Sequence, residues 1–384
     1  MSELTAPVDA DERHARMLMS RVAEPGDPDA CRLVREYSAA ALVERLMGGS
    51  LQQSKARDWA ERIQDADVEG YRRIADRVAA RFIVPGDREW PEQVGDLARL
   101  EEVSADRQTG SPFGLWVRGA ASAAQVCAQA VAIVGARAST PYGDHVAGDL
   151  AAMCADRGCV VVSGGAYGID AAAHRAALAS SGTTVAVLAS GIDRLYPSAH
   201  SGLLKEIAES GLLVSEAAPG CVPTRSRFLV RNRLIAALSL GTVVVEAALR
   251  SGALNTARWS RELDRGVMGV PGPVTSETSA GVHELLRQPG SLLVTDGDEV
   301  VEHISPLGRG LAPVKTGPVG PRDHLDARSR QVLEAVPTSS PAASESIARV
   351  AGLAHDDVLS RLSALRRLGL VASTPAGWRL TEFV

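Results

Sequence analysis

The spacing of apolar positions changes along the chain and divides it into three parts. Between about residues 10 and 80, apolar side chains recur every three or four positions among arginines and glutamates, which is the pattern of amphipathic helices. It predicts three of them: Ala15–Val22, Ala30–Met47 and Leu51–Arg62. We therefore expect a helical N-terminal domain over residues 1–82.

From Val131 onward, short continuous apolar runs alternate with helical patterns such as Pro141–Asp156 and Ile169–Ala179. After an earlier strand at Leu115–Gly119, the runs predict the strands Val131–Val134, Val160–Val162, Thr184–Leu188, Gly211–Val214, Thr242–Val245 and, as the last, Val267–Val270. Apolar strands that alternate with helices indicate a parallel sheet covered on both faces. We expect an α/β fold whose extended Rossmann-like core spans residues 83–304.

The last part of the chain follows a stretch rich in Gly and Pro, which predicts a linker over residues 305–323. Beyond it the pattern predicts three short helices and a β-hairpin: Leu325–Val336, Ser344–Ala351, Ala354–Leu368 and Val371–Leu380. That order is typical of a winged-helix domain, expected over residues 324–384. Such a domain binds duplex DNA or docks a protein, and both interpretations stay open.

Composition places few limits on function. The chain has 384 residues and a formal net charge of −5, whereas nucleic-acid-binding proteins usually carry a basic surface. Lysine occurs only at Lys55, Lys205 and Lys315, so arginine carries nearly all the positive charge. The arginine fork binds phosphate bidentately, but the same bias is typical of a GC-rich genome.

Five scattered cysteines without a C-x-x-C pair fit a reducing compartment. The N-terminus has no pattern of a signal peptide, and no apolar run reaches membrane-spanning length. We expect a cytoplasmic protein without a membrane segment.

The first chemical motif is the turn that follows the strand Val131–Val134. Gly135, Ala136 and Arg137 precede Thr140, a favourable N-cap residue, and Pro141 at the first helical position. Free N–H groups at a helix start bind anions, and Arg137 would add a charge. The motif predicts a phosphate cradle, with an ordinary turn bearing a solvated arginine as the alternative.

A second turn with glycines, Ser163–Asp170, repeats this logic after the next strand. Gly164 and Gly165 would let the backbone approach a ligand closely. The spacing is G-G-x-x-G, and no acidic residue follows the strand to bind a ribose, which disfavours a dinucleotide cofactor. Asp170 and His174 could form an acid–base pair, although local capping and packing is the favoured role. The sequence indicates neither a cofactor nor a metal site.

Three more segments belong to the same end of the sheet. The turn Gly191–Pro197 shapes the rim of the crevice or is a plain surface turn. The segment Arg225–Ile235 holds four arginines and one aromatic ring within a short span, the combination of a single-strand site: Arg225, Arg227, Phe228, Arg231, Asn232 and Arg233. Glu246 stands where a catalytic carboxylate could, but capping a turn or anchoring arginines is the favoured role, and Asn255 offers a polar contact beside it.

Taken in order, these motifs closely resemble the DprA/Smf family, the DNA-processing protein A family. The resemblance covers roughly Trp90 to Gly290. It is carried by Gly135-Ala136-Arg137, Ser163-Gly164-Gly165, Gly168-Ile169-Asp170, Tyr196-Pro197, Phe228 through Arg233, Ser251-Gly252 and Val270-Pro271-Gly272.

The resemblance implies a non-enzymatic protein that binds single-stranded DNA, forms a homodimer through the core and loads RecA recombinase during natural transformation. It implies that Arg137 grips phosphate and that Arg225 and Phe228 contact DNA, with Gly135, Gly164 and Asn255 as neighbours. Tyr167 stands where many members have arginine, which replaces a charge by a ring. By family analogy, self-association would involve Ser260–Leu286.

Two other classes of function remain as alternatives. The core also resembles nucleotide phosphoribohydrolases, but their P-G-G-x-G-T-x-x-E signature is absent and Glu246 has no clear catalytic partner. A regulator that binds duplex DNA through the winged helix would lose its preference for double strands on truncation at about Pro321.

Overall fold

In a computed structural model of the protein, the described residues are 8–51, 54–101, 108–317, 320 and 322–381. The chain divides into two compact units with the boundary between Ala312 and Pro313. Within the described residues, every helix is too short or too polar to span a lipid bilayer.

The first unit begins with five helices, two more than the three that the amphipathic pattern predicts. They are α1 (Ala10–Val22), α2 (Pro28–Tyr37), α3 (Ala39–Met47), α4 (Ala56–Gln64) and α5 (Val68–Arg77). The single helix expected over Ala30–Met47 is wrong, because Ser38 adopts a φ of 71° and separates α2 from α3. Ser38 also caps α3, since its side chain accepts a hydrogen bond from the amide of Ala41.

A nine-stranded sheet forms the centre of this unit. Its strands are β1 (Ala80–Ile83), β2 (Leu115–Arg118), β3 (Ala130–Val134), β4 (Val160–Ser163), β5 (Thr184–Leu188), β6 (Leu212–Ser215), β7 (Gly241–Val244), β8 (Gly266–Gly269) and β9 (Ser291–Leu293). The α-helices between the strands are α6 (Leu97–Glu101), α7 (Ala123–Cys127), α8 (Pro141–Asp156), α9 (Ile169–Ala179), α10 (Ser201–Ser210), α11 (Arg225–Ala237), α12 (Gly252–Glu262) and α13 (Glu277–Leu286), and α14 (Gly297–Ile304) follows β9. This mixed α/β fold with a mostly parallel sheet confirms the predicted class.

The strand order is β1-β2-β6-β5-β4-β3-β7-β8-β9. The seven strands from β6 to β9 in this order are parallel. At one edge, β2 pairs antiparallel with β6, and β1 pairs antiparallel with β2. The chain proceeds outward from β3 to β6 and then returns to place β7 on the other side of β3. The carboxyl ends of the neighbouring strands β3 and β7 thus mark the topological switch point, which is where a doubly wound sheet binds its ligands.

Two apolar layers cover the sheet, and alternate residues of each strand enter opposite layers. In β3, Ile133 packs with α8, α9 and α14, whereas Val134 packs with α11, α12 and α13. Full burial of both faces explains why this strand is apolar at every position.

The N-terminal helices pack against the far part of the sheet. Leu18 of α1 shares an apolar cluster with Leu188 of β5 and Ile207 of α10. The expected boundary at residue 82 falls inside β1, which pairs with β2.

The apolar pattern does not predict two of the strands, β1 and β9. The strand expected to be first, Leu115–Gly119, is preceded by β1, and the strand expected to close the series, Val267–Val270, is followed by β9, which pairs with β8. Both are short edge strands: β1 has four residues, with Arg81 among its apolar positions, and β9 has three, of which Leu292 and Leu293 are exposed. Apolar runs this short are difficult to distinguish from loop segments by pattern alone.

The second unit contains three helices and a hairpin in the predicted order. They are α15 (Ala327–Ala335), α16 (Ser344–Ala351), α17 (His355–Arg367), β10 (Val371–Thr374) and β11 (Gly377–Leu380). Gly352 ends α16 with a φ of 67°, the left-handed conformation that glycine adopts without strain. Val332, Ile347, Val358 and Leu362 form the core of this unit.

Candidate nucleic-acid interface

A cleft of about 620 Å³ opens at the carboxyl edge of the sheet, at the switch point between β3 and β7. Val134 and Gly135 at the end of β3 form one wall, and Arg250 and Ser251 after β7 form the other. The N-terminal half of α11 crosses the cleft. Because ligands of doubly wound sheets bind at this position, the cleft is the candidate functional site.

Three exposed arginines line the cleft. Arg137 follows β3, Arg225 begins α11 and Arg250 follows β7, and all three side chains are exposed. Within the described part of the chain, no carboxylate pairs with any of them. Charge left uncompensated on three elements gives the cleft a positive potential despite the net charge of −5.

Helix starts add to this potential. Thr224 caps α11 by accepting a hydrogen bond from the amide of Arg227 at 3.3 Å, and Ser251 caps α12 by accepting from the amide of Ala253 at 3.3 Å. Both caps line the cleft. The positive ends of two helix dipoles therefore face the same space as the arginines, an arrangement that favours phosphate.

Phe228 lies beside two of the cationic side chains. The guanidinium carbon of Arg137 lies 4.9 Å from the centre of its ring, and that of Arg231 lies 5.9 Å away. The ring of Tyr196 stands beside it, with centroids 5.7 Å apart. The cleft thus combines cations with aromatic surface, as sites for single-stranded nucleic acid do.

Arg231 forms the floor of the cleft. Its Nη1 donates to the carbonyl of Gly164 at 2.9 Å and to that of Val187, and only 7% of the residue is exposed. Burial lowers its pKa to about 10, which still leaves it charged at neutral pH. Arg231 holds two strand ends together, so its charge contributes to the cleft from below.

Arg233 does not reach the cleft, contrary to the prediction. It is fully buried, and its Nη2 donates to both carboxylate oxygens of Glu216 at 2.7 Å. Arg233 lies two residues after Arg231 on α11, and its side chain faces the protein interior. Gly26 is pressed against this pair, because a Cβ atom at Gly26 would lie 2.9 Å from Nε of Arg233.

Arg227, four residues before Arg231, is tied to the N-terminal part of the chain. Its Nε and Nη2 donate to the carboxylate of Glu24 at 3.1 and 3.0 Å, and its Nη1 donates to the carbonyl of Val222. The glutamate neutralises a cation at the edge of the site.

Six of the twelve predicted site residues line the cleft: Gly135, Arg137, Arg225, Phe228, Arg231 and Asn232. Asn232 donates to the carbonyl of Gly252 and to Oδ1 of Asn255. Asn255 therefore does not line the cleft itself but holds the side chain of Asn232, which does. Ala136 is used for packing of the loops, since its carbonyl accepts from the amide of Ile169.

The glycines of the second turn also serve packing. Gly164 and Gly165 are buried, and a Cβ atom at Gly164 would lie 2.5 Å from the guanidinium of Arg231. The close approach that the sequence predicts therefore occurs toward an arginine of the protein. Tyr167 is 47% exposed outside the residues that line the cleft, with its ring 4.7 Å from that of His200.

Asp170 and His174 do not form an acid–base pair. Oδ2 of Asp170 accepts from the amides of Gly164 and Ala166, which confirms the capping role, and Nδ1 of His174 is 2.7 Å from the hydroxyl of Thr184. Burial raises the pKa of Asp170 and lowers that of His174 to about 3. A histidine that is neutral at physiological pH and fully buried has no route to a substrate.

Glu246 also caps rather than catalyses. Its carboxylate accepts from the amide and hydroxyl of Thr140 at 2.8 and 2.7 Å and from the hydroxyl of Thr278 at 3.0 Å. A Cβ atom at Gly143 would lie 2.2 Å from this carboxylate, so glycine is required there. Only 2% of Glu246 is exposed, and its oxygens fix the start of α8 and with it the Arg137 loop.

The prediction missed Arg250 and Tyr196 as residues of the cleft. Arg250 follows a buried strand and directly precedes a serine cap, so it repeats the pattern that singled out Arg137. Tyr196 was assigned only to a rim loop, because nothing in the sequence places it beside Phe228.

A doubly wound sheet with a cationic, aromatic cleft at its switch point defines the class: an α/β protein with a site suited to phosphate groups. Residues 81–305 match the family described as DNA recombination-mediator protein A. The chain belongs to this family of DNA processing proteins, DprA/Smf. Membership of a family of recombination mediators confirms the prediction of a non-enzymatic protein.

Individual relatives agree. A protein of Mycobacterium tuberculosis named as DNA processing protein DprA is 46% identical over 369 residues, which cover 94% of this chain and 92% of the relative. Protein Smf of Escherichia coli is 35% identical over 258 residues, 65% of this chain and 67% of the relative. The X-ray structure of DprA from Streptococcus pneumoniae matches with a TM-score of 0.62 and 27% identity, covering 76% of this chain and 97% of that one.

Proposed function

We propose that the protein binds single-stranded DNA in the cleft between β3 and β7 and acts on that strand as a recombination mediator. The observation that carries the proposal is that Arg137, Arg225 and Arg250 line the same cleft as Phe228 from three elements and, within the described residues, have no acidic partner. The cations would hold successive phosphates while the ring stacks on a base.

The position of Phe228 favours a single strand over a duplex. The ring lies within the cleft and is partly covered by Arg137 and Arg231. Bases in a duplex are stacked on one another and paired, so they reach such a ring only after unstacking, which costs a few kcal/mol. A single strand presents its bases without that cost.

We further propose a homodimer formed through the core and transfer of the bound strand to RecA recombinase. The open edge of β9 supports self-association, because Leu292 and Leu293 are exposed there and an unpaired strand edge readily pairs with another chain. The family's description as a recombination mediator supports the recombinase as partner. The five free thiols fit a cytoplasmic location.

We also propose that the second unit is a winged-helix domain that docks a protein. In α17, where such a domain would read DNA, the first turn carries Asp356 and Asp357, which would repel phosphate. Arg361 of the same helix is bound to Asp326 and Asp357 at 2.8 and 3.0 Å. The first half of this helix therefore has little free positive charge to offer a duplex, and its other arginines, Arg366 and Arg367, lie in the last turn.

The test is a competition between a fluorescent oligothymidylate and unlabelled duplex of equal length, for the full chain and for Arg137→Ala. We expect the single strand to bind at least about tenfold more tightly, and the variant to lose about tenfold or more in affinity, in line with a hydrogen bond to a charged group. Equal affinity for both nucleic acids, or an unaffected variant, would contradict the proposal. Truncation at Pro321 should leave this preference unchanged.

A further inference from the structure

We infer that Tyr196 is a second base-stacking residue, so that the cleft receives two successive bases of a single strand, one on Phe228 and one on Tyr196. This inference rests on the proposed function and adds a subsite to it. It also gives the loop Gly191–Pro197 a role in binding.

The geometry of the two rings suits neighbouring bases. Their centroids are 5.7 Å apart and their planes are inclined at 52°. Bases that stack one on each ring would be further apart than the rise of about 3.4 Å per nucleotide in a B-form strand. The pair therefore fits a strand whose bases have been pulled out of their mutual stack.

Of the two rings, Tyr196 has the more open face. Phe228 is flanked by the guanidinium groups of Arg137 and Arg231, at 4.9 and 5.9 Å, and is only partly exposed. Tyr196 is 47% exposed although it lines the same cleft. A base that stacks on Phe228 competes with these cations, whereas a base that stacks on Tyr196 displaces only water.

The loop holds this exposed ring on a fixed backbone. Asp193 accepts from the amide of Gly220 at 2.8 Å, and the hydroxyl of Ser190 donates to the carbonyl of Arg194 at 2.6 Å. Among the residues that the structure describes, none forms a hydrogen bond with the hydroxyl of Tyr196. The backbone that carries the ring is thus held in place before a ligand binds, which lowers the conformational entropy lost when a base stacks on the ring.

The experiment compares two probes, an oligothymidylate and an abasic oligonucleotide of equal length, on the full chain. Stacking contributes roughly 1–3 kcal/mol per base, so Tyr196→Ala should weaken binding of the oligothymidylate by about 5- to 150-fold and binding of the abasic strand by less than about twofold. Tyr196→Phe, which keeps the ring, should bind both as the wild type does. Leu229 is the matched control: it is equally exposed in the same cleft without a ring, and Leu229→Ala should change both affinities by the same factor.

A second measurement needs no variant. Saturating oligothymidylate should protect Tyr196 of the wild type from nitration by tetranitromethane, located by mass spectrometry, while the abasic strand should not. If Tyr196→Ala loses affinity for both probes by the same factor, or if oligothymidylate does not change the nitration of Tyr196, the inference is overturned. If the wild type binds neither probe, the proposed function itself fails; if Arg137→Ala weakens binding while Tyr196→Ala does not, only the inference fails.

Discussion

The two ends of α11 carry the same residue type in opposite environments. Arg225 at the start of the helix is exposed in the cleft and has no partner among the described residues, whereas Arg233, two turns later, is fully buried against Glu216. Between them, Arg227 is neutralised by Glu24 and Arg231 is bound to backbone carbonyls. The four arginines of this short segment thus have four different roles: an exposed cation in the cleft, an ion pair with the N-terminal part of the chain, the floor of the cleft and an ion pair in the core.

The difference shows that a density of arginine does not measure a cationic surface. What decides the role of each guanidinium is whether the fold brings a carboxylate or carbonyl to it. We therefore expect changes at the buried end of α11 to alter stability and changes at the exposed end to alter affinity for DNA.

The largest effect is expected at the buried pair. Glu216→Gln leaves Arg233 without a counter-charge in the interior, where two of its nitrogens, among the described residues, already have no partner. Breaking such a pair costs about 3–5 kcal/mol of unfolding free energy. Urea unfolding followed by circular dichroism measures it.

The control for this variant removes both charges together. Glu216→Leu with Arg233→Met should recover much of the loss, since apolar groups can replace a buried ion pair. If Glu216→Gln is as stable as the wild type, the pair does not anchor α11 and the comparison fails at its buried end.

The next effect concerns acid stability beneath the cleft. The pKa of buried His174 is about 3 in the native state, chiefly through burial and then through the charge of Arg231, whereas an unfolded histidine titrates near 6.5. The unfolded state therefore gains a proton below pH 6.5 that the native state does not take up. The contribution of neutral His174 to the free energy of unfolding is therefore present above pH 6.5 and is lost as the pH falls toward 3.

Between pH 7 and pH 5, the wild type should lose about 2 kcal/mol more unfolding free energy than His174→Gln, whose side chain does not titrate. Urea titrations of both proteins at the two pH values measure the difference. An identical pH dependence would show that His174 takes up its proton in the folded protein as well.

A smaller effect is expected at the exposed end of the helix. Arg225→Ala removes one of the unpaired cations of the cleft and should weaken binding of oligothymidylate by about tenfold, with unfolding free energy changed by less than about 0.5 kcal/mol. Fluorescence anisotropy and urea unfolding on the same preparation separate the two quantities. A stability loss comparable to that of Glu216→Gln would erase the distinction between the two ends.

The smallest effect is expected where α11 meets the N-terminal helices. The pair between Arg227 and Glu24 is partly exposed, and such pairs contribute about 0–1 kcal/mol to stability. Glu24→Gln frees the cation at the edge of the cleft, so we expect slightly tighter binding of DNA at low salt. Weaker binding would show that Glu24 positions Arg227 instead of masking it.

The sequence predicts the parts of the fold that are decided locally. Buried parallel strands such as β5, and helices with clear caps such as α8, are found at their expected bounds. The pattern does not predict the edge strands β1 and β9, because they are only four and three residues long. In the site, Arg137 was recognisable from its turn, but the burial of Arg233 depends on Glu216, which the chain brings from a different strand end. Pairings of this kind leave no local signal.

The central claim is that the arginines of the cleft hold phosphates of a single strand. The most direct measurement is the dependence of oligothymidylate affinity on salt for the wild type and for Arg137→Ala with Arg225→Ala. Each phosphate contact contributes about −0.7 to the log–log slope, so the double variant should have a slope shallower by about 1.4. Equal slopes for the two proteins would contradict the account, even if their affinities differed.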